Sequence, residues 1–190
     1  LYTITSFILI LWGCSSQKVD LDYAYLYNDN LDVLNDTALE TNKTEQKLIY
    51  KNHIYHKNIH TVLLHPVRSE LEEPIIHINR SDSLLLSFDD LDGNFKNFYF
   101  TLIHCNADWT PSNLLESEYL EGFTKAPIYN YESSFNTIQS YSHYKAIIPA
   151  ENMKPKLSGN YLLIVFEEDK RELPIFSKRM MILDRKVSVE

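Results

Sequence analysis

From Leu48 onward the chain alternates between short apolar runs and turn-forming residues. Ile59 to Leu64 is closed by Pro66, and Ile75 to Ile78 follows Pro74. Ser83 to Phe88 runs into Asp92-Gly93, and Phe98 to Cys105 comes next. Tyr144 to Ile148, closed by Pro149, then Tyr161 to Phe166 and Ile175 to Leu183 complete the set. Runs of this length, rich in β-branched and aromatic residues and cut by Pro, Gly and Asp, read as strands. About seven strands over residues 48–184 is the number in an immunoglobulin-like β-sandwich, so the expected fold class is all-β. No long stretch with a helical period competes. The best helix candidate is short, 112–120, with Thr110 as its cap, Pro111 at the first position and Gly122 just past its end.

The pattern before Leu48 is different. The first sixteen residues carry no Asp, Glu, Lys or Arg, and Phe7 to Trp12 is a continuous apolar run followed by Gly13 and Cys14. A short apolar run ending at a small residue reads as a secretory signal and is too short for a membrane anchor. Leu11-Trp12-Gly13-Cys14 resembles a bacterial lipobox, in which the Cys thiol takes a diacylglycerol group and cleavage precedes it. Two or three acyl chains would hold the mature protein firmly on a membrane. Leu1 is not Met and no basic residue precedes the apolar run, so the expectation is that the true N-terminus lies further upstream. Residues 17–47 hold seven acidic residues against three lysines, half of the chain's net charge of −8. This acidic segment is expected to be a linker lifting the domain off the membrane, although the Tyr23 to Tyr27 alternation also fits a short strand.

Composition narrows the function. The chain is 190 residues long and 44% hydrophobic, enough for a packed core. A net charge of −8 opposes nucleic-acid binding, which needs a basic surface. There are two cysteines; with Cys14 acylated, Cys105 has no partner, and the core must be held by packing alone. After the signal segment only Gly93, Gly122 and Gly159 remain, each at an expected turn, and none belongs to a phosphate-cradling loop. Gly159 precedes Tyr161 by two residues at the start of a strand, which looks like a tyrosine corner, where the phenol bonds back to upstream backbone.

Two clusters invite a chemical reading. Asp89, Asp90, Asp92 and Asn94 are rich in oxygen, but their spacing misses the calcium-loop pattern, since Phe95 stands where that pattern has Gly. A hairpin turn on Asp92-Gly93 is the simpler expectation. His104, Cys105 and Asp108, with His143, suggest a thiol or zinc site. Neighbours on a strand point to opposite faces, however, and no paired short-spaced ligands exist. The expectation is a strand end with Cys105 buried and His104 hydrogen-bonded. His53, His56, His60, His65 and His77 alternate with apolar residues and are expected to face mostly solvent. No hydrolase or metalloprotease motif is present, so no catalytic residue, metal or cofactor is assigned.

The stretch LLLSFDDLDGNFKNFYFTLIHCNADWTPSNLLESEYLEGF, 84–123, resembles the N-terminal domain of the type IX secretion system plug protein. IYHKNIHTVLLHP (54–66), FNTIQSYSHYKAIIP (135–149) and the segment from Leu157 to Glu168 follow the family's order, so the resemblance covers about 54–183. HCNADW together with EYLEGF is its specific part. The resemblance implies a non-enzymatic envelope component that binds the outer-membrane secretion barrel and closes its periplasmic end when no substrate is present. It also implies a longer protein, with residues 185–190 opening a further C-terminal region. His104, Asn106, Asp108, Trp109, Tyr119 and Phe123 are the candidate contact or structural residues, with Trp109 expected largely buried. The excursion 104–123 is expected either to close the sandwich end or to touch the barrel, the latter needing only one of Tyr119 and Phe123 exposed. The alternative reading is an immunoglobulin-like module accessory to a glycan-degrading system, which would show an exposed coplanar aromatic platform.

Overall fold

The fold is seen in a computed structural model that describes residues 47–184 apart from Asn79 and Asp169. The signal segment with Cys14, the linker up to residue 46 and residues 185–190 lie outside the described residues. Among the described residues, twelve strands and one helical turn follow in order. They are β1 (His53–Ile54), β2 (Ile59–Pro66), β3 (Ile75–His77), β4 (Leu84–Asp90), β5 (Phe98–Cys105), α1 (Glu116–Tyr119) and β6 (Leu120–Gly122). Next come β7 (Ala126–Ile128), β8 (Asn130–Ser133), β9 (Ser142–Ile148), β10 (Met153–Pro155), β11 (Gly159–Glu167) and β12 (Pro174–Leu183).

All seven expected strands are present, as β2, β3, β4, β5, β9, β11 and β12. Two sheets face each other. One runs β2-β4-β9-β8; the other runs β12-β11-β5-β7, with β1 and β3 on the far edge of β12. Every pairing is antiparallel except β3 with β12. This is the A-B-E-D and G-F-C order of the immunoglobulin-like sandwich, with β11 in the place of strand F.

The core forms where the inward faces meet. Phe88 and Tyr144 from one sheet stack at 5.2 Å, and Phe88 meets Phe98 and Phe176 from the other sheet edge-on at 5.3 and 5.0 Å. These buried rings join the sheets where many immunoglobulin domains place a disulfide. Strand β11 is apolar throughout because both its faces are covered. Tyr161, Leu163 and Val165 enter the core, and Leu162, Ile164 and Phe166 form a second apolar cluster with Cys105 on the outer face. Leu48 and Tyr50 pack against that cluster. The strap they belong to is fastened to β12: the Ser177 hydroxyl donates to the Lys51 carbonyl at 2.8 Å, and Arg179 Nε donates to the Tyr50 carbonyl at 2.9 Å.

Three local expectations are corrected. Asp92-Gly93 does not turn a hairpin, because β4 and β5 lie in opposite sheets. Residues 91–97 instead carry the chain across the gap of about 10 Å between sheets. The 112–120 helix shrinks to the single turn Glu116–Tyr119. Pro111 is bridged to Cys105, and the Ser112 N–H donates to the His104 carbonyl at 3.0 Å, so this stretch is extended alongside β5. The N-terminal N–H of the turn, on Leu115, is taken by Glu118 Oε2 at 2.6 Å, not by Thr110. Gly122 accordingly ends no helix. It lies in β6 at φ +90, and a Cβ there would collide with the Asn152 carbonyl on the chain leading into β10.

Candidate functional site: the excursion beside β5 and the exposed loops

The excursion after β5 is built by a few side chains holding its backbone. The Asn106 amide donates to Thr110 Oγ1 at 3.0 Å and to the Pro111 carbonyl at 3.2 Å, and its own carbonyl accepts from the Asn160 amide at 3.0 Å. Asp108 accepts from both the N–H and the hydroxyl of Thr110, at 3.0 and 2.7 Å, which holds its carboxyl below the usual range. Both residues therefore fix the loop, although both are exposed.

Trp109 is half-buried, which corrects the expectation of a largely buried residue. Trp109, at φ +67, packs against the outer cluster, where the Arg179 guanidinium lies 4.2 Å from the ring centroid. Tyr119 and Leu120 do enter the core, both 4% exposed, beside the fully buried Met153 of β10. The strands β6 and β10 form a small two-stranded ribbon over this part of the sandwich. Phe123, the next residue, is 64% exposed. One segment thus closes the core with Tyr119 and presents Phe123 to solvent.

His104 faces inward, 5.1 Å edge-on from Tyr161 and 5.8 Å from Tyr119. Its Nδ1 is buried with no hydrogen-bond partner among the described residues, contrary to expectation. The register explains this. His104 sits opposite Tyr161, whose hydroxyl already donates to the Leu157 carbonyl four residues upstream at 2.8 Å. That fold-back bond is the one a tyrosine corner makes. Cys105 faces the outer cluster and is buried; burial pushes its thiol up to about 11, which leaves it protonated and unreactive at neutral pH.

The acidic cluster at the other end of β4 is neutralised from within. Asp89 pairs with His143 Nδ1 at 2.6 Å across β4 and β9. The fully buried Asp90 has Lys96 Nζ at 2.7 Å, an ion pair not aligned as a hydrogen bond, and Lys96 also pairs with Asp92. Burial works against the Lys96 charge, but the two carboxylates outweigh it and hold its pKa above the ordinary value. An ammonium therefore occupies the position a cation would take, and no group of three or more metal-ligating side chains exists among the described residues. Of the first five histidines after the linker, only His60 is exposed; His53, His56, His65 and His77 are half-buried, and His77 pairs with Asp82 at 2.7 Å.

The most exposed apolar side chains, Leu71, Tyr129, Phe135 and Ile138, lie between strands. Sequence reasoning singled out Phe123 and missed Phe135 and Ile138, which stand on the loop joining β8 to β9. The signal available was that residues 133–142 carry no charge yet contain Phe135 and Ile138. Phe95 and Tyr131 also touch, at 4.7 Å, but their planes are inclined at 41° and do not make a flat platform for a sugar.

Two facing sheets in this strand order define the chain by class as an immunoglobulin-like module. The chain belongs to the family described as type 9 secretion system plug protein 1st domain, whose model matches residues 59–184. Membership ties it to the type 9 secretion system and so to the cell envelope, and no enzyme family is indicated. It is similar to a crystal structure of a hypothetical protein from Parabacteroides merdae, with 28% identity and a TM-score of 0.68 over 72% of this chain. The chain spans 34% of the length of that relative. A Pseudomonas fluorescens alkylpurine DNA glycosylase bound to DNA aligns over 66% of this chain and 30% of its own, at 6% identity and a TM-score of 0.32, a likeness that carries no argument. No curated protein matches the chain.

Proposed function

We propose that this domain is a non-catalytic part of the type 9 secretion system that binds the outer-membrane translocon barrel and closes its periplasmic end when no substrate is present. The observation that carries this reading is the family match across 59–184, nearly the whole described sandwich. The physical need is that an open wide pore leaks, and a packed sandwich can cover it without moving parts. Phe123 is the proposed contact within the excursion, since exposed aromatics dominate the centres of protein interfaces. Cys14 is proposed to carry the acyl chains that hold the protein on the periplasmic face of the outer membrane.

The test is a permeability assay in the native host. Loss of the protein should raise uptake of a large antibiotic when the barrel is present and leave it unchanged when the barrel is also deleted. Replacing Phe123 by Ala should leave folding intact and weaken barrel association by about 1–2 kcal/mol. Uptake unaffected by loss of the protein would refute the plugging role. For the anchor, a palmitate analogue should label the wild type and not Cys14→Ser; equal labelling would refute acylation.

A further inference from the structure

The outer face of β12 is covered where it is polar and bare where it is apolar. Phe176, Met180 and Ile182 enter the core, so Ser177, Arg179, Met181 and Leu183 share the outer face. The strap 48–52 holds the first two. Ser177 is fully buried and bonds the Lys51 carbonyl, while Arg179 bonds the Tyr50 carbonyl and, through its N–H, the Asn52 side-chain oxygen at 2.7 Å. Further along, Met181 is 36% exposed and Leu183 44%. Burial normally runs the other way, with apolar side chains hidden and polar ones left to water.

An open groove of about 480 Å³ lies at this bare stretch, lined by His77, Gly159, Asn160, Met181, Leu183 and Asp184 among others. Three strands frame it, since Leu183 pairs with His77 of β3 and Ile182 with Gly159 of β11. Two of its polar side chains are already engaged within the domain. His77 Nδ1 is bonded to Asp82 at 2.7 Å, and the Asn160 amide donates to the Asn106 carbonyl at 3.0 Å. A small polar ligand needs several convergent polar groups, whereas this groove offers mainly the thioether of Met181 and the aliphatic carbon of Leu183. The described residues end at Asp184, on the groove itself.

We infer that this groove is the seat of the domain that follows residue 184 in the same polypeptide, docked on Met181 and Leu183. The family is described as a 1st domain, and the chain spans 34% of the length of its Parabacteroides merdae relative, so further chain is expected after the sandwich. Position selects this occupant over a separate protein or a second copy. A domain joined at Asp184 is held at the edge of the groove by its own backbone, at an effective concentration on the order of millimolar that a separate partner must outcompete. The consequence is orientation: domains joined by a linker alone swing, whereas an apolar seat at the junction fixes the angle between them. The inference goes beyond the translocon reading and does not depend on it.

The test uses the full-length protein, dilute and without the translocon. Maleimide labelling of Leu183→Cys should be about tenfold slower than that of Ile147→Cys, a strand residue of the opposite sheet with a similar exposure of 49%, the wild type giving the background. Hydroxyl-radical oxidation of Met181 needs no substitution. In the wild type it should be as slow as that of the buried Met180, and it should rise several-fold in Leu183→Asp. A wild-type Met181 oxidised several-fold faster than Met180 overturns the seat, as does equal labelling of the two cysteines in folded variants, and either result leaves the proposed function standing. Protection that disappears on dilution assigns the groove to a second copy, and protection that needs the translocon assigns it to that partner; each overturns the inference.

Discussion

The two ends of the sandwich use aromatic side chains in opposite ways. At the end where β5 finishes, Tyr119 is drawn inward against His104 and Tyr161, and the ribbon of β6 and β10 covers the core. At the end where β4 finishes, Phe135 and Ile138 are held outward by a hydrogen-bonded loop whose base is an internally neutralised carboxylate cluster. Tyr119 contributes to stability through burial, whereas Phe135 and Ile138 contribute little, even though Phe135 is about as large. Residue size therefore says less about energetic weight than the side on which the backbone places the residue. Trp109 and Tyr119 make the same point within one segment: the larger ring packs on the outer cluster and the smaller one enters the core.

The comparison is most easily broken by large-to-small substitution. Tyr119→Ala should cost about 3–5 kcal/mol, as for a truncated core aromatic, measured by chemical denaturation. Phe135→Ala should change stability by no more than about 0.5 kcal/mol. Losses of similar size would erase the distinction between the ends.

Lys96→Met probes the base of the exposed end. It leaves the fully buried Asp90 without its cation and should cost about 3 kcal/mol at neutral pH. The pH dependence sharpens this. Asp92 is held below the usual carboxylate range chiefly by its hydrogen bond to Lys96, and Asp82 by its bond to His77. Folded-state values below the unfolded ones mean that the unfolded chain takes up protons first. The stabilisation is then complete above the ordinary carboxylate value of about 4 and is lost as pH falls through the depressed folded-state values. Melting temperatures followed downward from about pH 6 should fall in the wild type, and the Asp92 share of that fall should shrink in Lys96→Met, where only the Asn58 amide still bonds Asp92. An unchanged acid profile in the variant would contradict the pairing. A smaller loss than that of Tyr119→Ala or Lys96→Met is expected for Tyr161→Phe, which removes one buried hydrogen bond to the Leu157 carbonyl and should cost about 1 kcal/mol.

The long strands were legible because β2, β4, β5, β9, β11 and β12 each carry enough apolar residues to show against their flanking turns. The short strands β1, β6, β7, β8 and β10, of two to four residues, are too brief for a period and exist through their neighbours. Asp92-Gly93 marked a change of direction but not which sheet the chain would join next, since the same dipeptide serves a hairpin or a crossing. In the excursion, Pro111 and the following residues read as a helix start, and pairing with β5 overrode that local preference. The roles of Asn106 and Asp108 as loop fasteners rest on hydrogen bonds among residues four or five apart or fewer, which spacing alone does not reveal. Phe135 and Ile138 were overlooked because exposed apolar groups in an uncharged loop imitate one more half-buried run.

The central claim is that this sandwich serves as a translocon-binding part of the type 9 secretion system, and affinity purification of the full-length protein from its native outer membrane tests it most directly. The account predicts that a very large barrel protein is recovered with it in fixed proportion when no cargo is being exported. Recovery of the protein free of any barrel, or together with glycan-degrading surface proteins instead, would contradict it.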